Sequence, residues 1–221
     1  MSIADKLTTI AENVDKVYQA GFDKGMLPMY YVQSFQYGWS SREYPQNTEF
    51  VIHLQSLQGM NGGFQNSKNI RSVTFIIDNE YNSVTAWSCF SGCKQLEVLD
   101  LSRAKITFNA AASFFDGCHN LKSVYGALDF SDVTTSNFNL FRGLNSLEDI
   151  TFVPNSIVFS TEIHWSENLT KASITSIING LSTETSGLTV TLSKTAVDNA
   201  FEDAEWSELE ATKPNWTISL V

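Results

Sequence analysis

The sequence predicts a repeat solenoid of mixed α/β class, with a helix at its start and a helix-containing cap at its end. Three observations carry that expectation. Aromatic-led blocks recur at near-constant intervals, the apolar positions inside each block keep one spacing, and the C-terminal segment abandons that spacing for helical periodicity.

Aligned on the aromatic residue, the blocks read FQNSKNIRSVTF from Phe64, FSGCKQLEVLDL from Phe90, FDGCHNLKSVYG from Phe115 and FRGLNSLEDITF from Phe141, at intervals of 26, 25 and 26 residues. Their apolar positions follow Leu-x-x-Leu-x-Leu: Ile70, Val73 and Phe75; Leu96, Leu99 and Leu101; Leu121 and Val124; Leu147, Ile150 and Phe152. That is the leucine-rich repeat signature, in which each coil adds one short strand and buries its apolar side only by stacking on its neighbours. The last two apolar positions of a block alternate with outward ones, as strand geometry requires. In the third block Gly126 stands where the final apolar residue should be, which predicts a bulged or displaced strand.

LTVTL (Leu188–Leu192) and WTISL (Trp216–Leu220) repeat the alternation after irregular spacing, so the predicted sheet has six repeat-type strands, with FVIHL (Phe50–Leu54) as a further strand ahead of them. Between these late strands Ile174, Ile177, Ile178 and Leu181 fall on one helical face ending near Gly180, and a second helix is expected within SKTAVDNAFEDAEWSELEATK, stopped by Pro214. Such helices would cap an open end that otherwise exposes its apolar spine and a strand edge. At the other end Ile3, Leu7, Ile10, Val14 and Val17 step by four and three until Gly21 and Gly25, predicting a short helix that docks on the domain or self-associates. The expected organisation is therefore an N-terminal helix (1–25), an aromatic-rich cap (26–63), repeat coils (64–168) and a C-terminal capping region (169–221).

The 221 residues include 14 basic and 24 acidic side chains, a formal charge of −10, which repels phosphate backbones and argues against nucleic acid as a partner. No apolar run is long enough to span a bilayer, and the opening MSIADKLTTIAENVDKVYQAG lacks the basic start and apolar stretch of a secretory signal. The expectation is a chain made in the cytoplasm and not inserted in a membrane.

Cys89, Cys93, Cys118 and His119 form a nominal Cys3His set, yet Cys93 and Cys118 occupy the same block position one interval apart. Core packing explains them better than a metal does, and no compact zinc spacing is present. Adjacent coils would bring those two sulfurs near one another. DNEYNSVTAWSC, from Asp78, starts like a calcium loop but has Ser83 in place of the turn glycine and Cys89 in place of the closing glutamate. No nucleophile elbow, metalloprotease helix or phosphate loop occurs, so neither a catalytic residue nor a cofactor or metal is expected.

The segment Leu27 to Phe50 concentrates Tyr30, Tyr31, Phe35, Tyr37, Trp39, Tyr44 and Phe50. Roofing the first coil is the leading explanation. Aromatics that escape that role would make a recognition surface centred on Trp39 and its neighbouring tyrosines. A second candidate surface is the outward strand row Thr74, Asp100, Tyr125, Thr151, Thr191 and Ser219, with Asp100 and Tyr125 as its strongest contact residues.

The blocks FSGCKQLEVLDL and FDGCHNLKSVYGALDFSDVTTSNFNLFRGLNSLEDITFVPNSI resemble the BspA-type leucine-rich repeats of bacteria and their phages. The tail from SITSIINGL to the C-terminus is similar to the region closing many such proteins encoded in phages and prophages of gut Firmicutes, and KLTTIAENVDKVYQAGFDKG to the opening of phage structural proteins from those hosts. Ala104 stands where that repeat usually has asparagine, so an asparagine ladder is not expected. The resemblance implies a non-enzymatic interaction module, a tail-associated structural or host-binding protein on a virion whose partner is a protein or a host-surface component. A bacterial cell-surface adhesin is the alternative, and a carbohydrate-active enzyme ranks third.

Overall fold

The computed structural model describes residues 27–28, 34–79, 82–134 and 139–221. The predicted N-terminal helix, Tyr30 and Tyr31 lie outside them. In chain order the strands are β1 (Leu27–Pro28), β2 (Glu43–Leu54), β3 (Lys68–Ile77), β4 (Ser83–Thr85), β5 (Val98–Arg103), β6 (Thr107–Ala110), β7 (Ser123–Leu128), β8 (Asp149–Phe152), β9 (Thr161–Glu162), β10 (Leu188–Leu192) and β11 (Trp216–Leu220). Helix α1 (Lys171–Gly180) precedes β10, while α2 (Lys194–Ala200) and α3 (Asp203–Glu210) precede β11. A six-stranded sheet runs β1-β2-β3-β5-β7-β8, a three-stranded sheet runs β11-β10-β9, and β4 pairs with β6. All these pairings are parallel.

This arrangement corrects the predicted fold class. Over the described residues the protein is an α/β protein of mostly parallel sheet with three short helices, not the expected leucine-rich repeat solenoid. Instead of one continuous sheet of repeat strands, the described residues form three sheets, and LTVTL and WTISL pair with each other in a separate one. Strand lengths in the main sheet fall from 12 and 10 residues in β2 and β3 to 4 in β8, and among the described residues every helix follows Thr170. The physical reason is that period-two burial marks any parallel strand packed on one face, and does not specify which strands share a sheet.

The burial pattern itself is realised. Every apolar position singled out in the four blocks is buried, from Ile70 through Phe152. Val73 opposes Leu99 and Leu99 opposes Val124 across the sheet, while the rings of Phe64 and Phe90 stack at 5.4 Å and those of Phe115 and Phe141 at 6.2 Å. The Phe-x-Gly turn holds its glycine at φ of +73° to +75° in Gly92, Gly117 and Gly143, a region other L-residues adopt at a cost. From that turn Gly92 N donates to Asp116 O and Gly117 N to Arg142 O, both at 2.8 Å, tying each block to the next.

The position after that glycine explains Cys93 and Cys118. The Cys93 thiol donates to Phe64 O at 2.9 Å and the Cys118 thiol to Phe90 O at 3.0 Å. Ser67 does the same for Trp39 O at 2.5 Å and Ser166 for Leu144 O at 2.7 Å. Phe64 O, Phe90 O and Leu144 O each already accept a backbone N–H and Trp39 O the Tyr44 hydroxyl, so the small side chain of the following block adds a second donor to each buried carbonyl.

The C-terminal segment closes the main sheet. Thr170 caps α1, accepting Ser173 N, and Ile174, Ile177 and Ile178 are buried beneath the helix. The single helix predicted before Pro214 is two, because Phe201 is extended and Glu202 starts α3 with a capping box closed by Glu205. Lys213 is buried and reaches Asn155 Oδ1 at 2.9 Å and the carbonyls of Asn179 and Leu181, which fastens the end of α1 to the β10–β11 unit. Burial lowers its pKa below that of an ordinary lysine.

Candidate binding surface

The aromatic segment packs inward. Trp39 is 2% exposed, its ring 4.9 Å from Phe35 and 4.8 Å from Phe64, and Tyr44 is buried with its hydroxyl donating to Trp39 O at 3.3 Å. Phe35, Trp39 and Tyr44 therefore belong to the core, which leaves the predicted Trp39-centred surface without its anchor. Tyr37 differs: it is 63% exposed and its ring lies across Gly62, where an added Cβ would come within 2.3 Å of Tyr37 Cε1.

The outward face of the main sheet is continuous across four strands, with Val51, Thr74, Asp100 and Tyr125 side by side. Thr151 lies beyond them, opposite Ala127, but Thr191 opposes Ser219 in the three-stranded sheet. The predicted row is thus split between two sheets. Tyr125 is 49% exposed, and the Asp100 carboxylate beside it is fixed by Ser102, whose N and Oγ donate at 2.9 and 2.6 Å. Such a pair joins a flat contact ring to an oriented acceptor, at little cost in side-chain entropy on binding.

At the C-terminal ends of β5 and β7 this face runs into a cleft of about 390 Å³, lined by Ser102, Lys105, Thr107, Gly126, Ala127 and Asp129 among others. Gly126 creates it. Its φ is +89°, and a Cβ there would lie 2.6 Å from the Leu101 carbonyl carbon and 2.8 Å from Ser102 N. Only glycine lets β7 press so closely on β5, and the pairing of β7 with β8 slips between Ser123 and Ala127 as a result. The displaced strand predicted from Gly126 is therefore present. Within the cleft Asp129 Oδ1 accepts from Ser131 N at 3.0 Å and Ser131 Oγ at 2.7 Å, and Oδ2 from Thr107 Oγ1 at 3.1 Å.

Sequence reasoning missed this cleft and also Trp87, which is half exposed. A signal existed in the twin Asp-x-Ser tripeptides, Asp100-Leu101-Ser102 and Asp129-Phe130-Ser131, which fold into the same side-chain turn.

A charge column borders the opposite end of the strands. Arg71, Glu97, Lys122 and Glu148 follow one another block by block, linked by backbone bonds from Glu97 N to Arg71 O, Lys122 N to Glu97 O and Glu148 N to Lys122 O. Arg71 also reaches Glu49 at 3.3 Å and Glu97 at 3.4 Å.

The Cys3His set does not converge. All three thiols are buried, and desolvation pushes Cys93 up to about 12 and Cys89 and Cys118 well above the ordinary thiol value. His119 is exposed, with Nδ1 2.9 Å from Gly143 O. Among the described residues no three His, Cys, Asp or Glu side chains gather as ligands. In the loop from Asp78, Asn82 is buried and serves the backbone, accepting Leu57 N and donating to Asn79 O and Lys105 O.

Among the described residues no helix is long and apolar enough to cross a membrane. Neither a protein-family model nor a curated protein nor a solved structure matches this chain.

Proposed function

We propose that the chain is a non-enzymatic binding module of a phage or prophage tail that meets a protein partner or a host-surface component. The observation that carries this reading is the half-exposed Tyr125 ring next to the fixed Asp100 carboxylate on an otherwise small-residue sheet face. The resemblance of the opening and closing segments to phage and prophage proteins supports the setting. The formal charge of −10 favours neutral or basic partner surfaces over phosphate-rich ones.

The test has two arms. Mass spectrometry of purified particles from an induced lysogen should find the chain in stoichiometric amounts, and the purified chain should bind cells of the host saturably. Absence from particles together with no saturable cell binding overturns the reading.

A further inference from the structure

The carboxylates on the strands of the main sheet fall into two groups. On β2, Glu43 meets Lys68 at 3.5 Å and Glu49 meets Arg71 at 3.3 Å. Asp100 on β5 and Asp149 on β8 have no lysine, arginine or histidine partner among the described residues. The strand between those two is β7, which carries the half-exposed Tyr125.

Asp100 stands directly opposite Tyr125, on a strand about 4.8 Å away. Its two oxygens differ: Oδ1 takes both donors of Ser102, whereas Oδ2 takes no donor from the described residues. On the other side Asp149 opposes Ser123, two residues before Tyr125, and accepts Ser123 Oγ at 3.5 Å, which holds this carboxylate on the face away from the buried Val124. Its other oxygen accepts Thr170 Oγ1 at 3.4 Å. Bonds that long leave acceptor capacity on both oxygens.

Two carboxylates without a cation, set about an open aromatic ring, select a positive group. An anion is repelled by both acids, while a cation over the ring face gains from its quadrupole as well as from the charges. Of the cations a protein surface presents, guanidinium fits best, because it is planar and weakly hydrated and its fork of N–H donors reaches past the ring edge to oxygens on either side. Thr74, Ala127 and Thr151 surround the ring with small side chains, so a partner surface can approach closely.

We infer that Tyr125, Asp100 and Asp149 form the docking point for an arginine side chain of a protein partner, with the guanidinium over the Tyr125 ring and its N–H groups donating to Asp100 Oδ2 and to Asp149. The inference deepens the protein-partner reading above and rests on it. Charge complementarity identifies the occupant: the site is doubly negative, in a chain whose formal charge is −10.

The experiment titrates N-acetyl-arginine amide into the whole chain and follows the Tyr125 and Asp100 resonances by NMR. The comparators are N-acetyl-citrulline amide, which has the same shape without the charge, and N-acetyl-lysine amide. The arginine probe should bind saturably with a dissociation constant of about millimolar order, lysine more weakly, and citrulline about tenfold more weakly or less than that. Asp100→Asn, which keeps an oxygen for Ser102, and Tyr125→Leu, which keeps the apolar bulk, should each weaken arginine binding by about tenfold with melting unchanged. Trp87→Ala, an exposed aromatic elsewhere, should leave affinity as it was. The inference is overturned if the arginine probe moves neither resonance, if citrulline or lysine binds as well as arginine, or if Asp100→Asn and Tyr125→Leu bind like the parent. Host-cell binding that is competed by neutral sugars and not by the arginine probe would overturn the arginine docking point alone and leave the broader binding function standing.

Discussion

Ser173 Oγ accepts the backbone amide of Ile150 at 3.0 Å, so a helix side chain stands where a further strand would offer its carbonyl. One turn on, Ser176 Oγ accepts the amide of Phe152 at 2.9 Å. The period of a helix face here coincides with the period of a strand edge: residues three apart on α1 meet residues two apart on β8. Ser173 Oγ also donates to Glu148 O at 2.9 Å, so the hydroxyl is used in both directions.

Replacing both serines with alanine leaves two edge amides without partners, one of them deeply buried. The expected cost is about 1–3 kcal/mol per buried unsatisfied group. Denaturant unfolding should show the loss, and hydrogen exchange should show faster exchange at Ile150 and Phe152 than at Leu99. Unchanged exchange at those two amides would mean that the serines are not the edge's partners.

The thiols give a pH signature. Folded Cys93 titrates near 12 against 9.0 for an unperturbed thiol, so between those values the native state holds a proton that the unfolded chain has released. This contribution to stability is complete below about pH 9 and is lost as pH rises toward 12, by about 1.4 kcal/mol per pH unit for one thiol. The Cys93→Ser variant, which keeps a donor for Phe64 O as Ser67 does for Trp39 O, should fold with a smaller alkaline loss. An identical pH profile for parent and variant between pH 9 and 11 argues against the assignment.

Leu99, flanked by Val73 and Val124, and Ile150, on the edge strand beside α1, are both buried, and alanine at either should cost about 2–5 kcal/mol through lost transfer energy and the cavity left behind. Near-parental melting temperatures for both variants would contradict the packing described.

Tyr125→Ala and Asp100→Ala should weaken host-cell binding at parental stability, because both side chains project from the sheet. Trp39→Ala should instead cost about 3–5 kcal/mol of stability, as for a buried aromatic. The binding face would have to be sought elsewhere if the sheet variants bound normally.

The sequence revealed the burial pattern well and the architecture poorly. The positions of Val73, Leu99, Val124 and Ile150 follow from alternation, because a strand with one buried face must show it. That the main sheet ends at β8 involves Ser173 and Ser176 on its edge, and two serines on a helix look like ordinary polar positions in a sequence. The same limit applied to the aromatics. Density alone could not separate Trp39, clamped between Phe35 and Phe64, from Tyr37 two residues earlier, which the turn points outward. For the cleft, Gly126 announced the displaced strand, but the carboxylate that gives the site its chemistry comes from Asp129, and only the fold sets it across from Thr107.

The column of Arg71, Glu97, Lys122 and Glu148 constrains how such a chain can change its length. Removing the residues of a single interval, 72–97, would seat Arg71 directly against Lys122, trading an attraction for a repulsion. Removing two intervals, 72–122, would restore an opposite neighbour in Glu148. The Arg71–Glu97 ion pair is exposed and individually weak, and the signs along the column are set by position from strand to strand. The alternation of sign along this edge therefore adds a weak preference for the observed order of neighbouring strands, one that the charges impose and the apolar core does not.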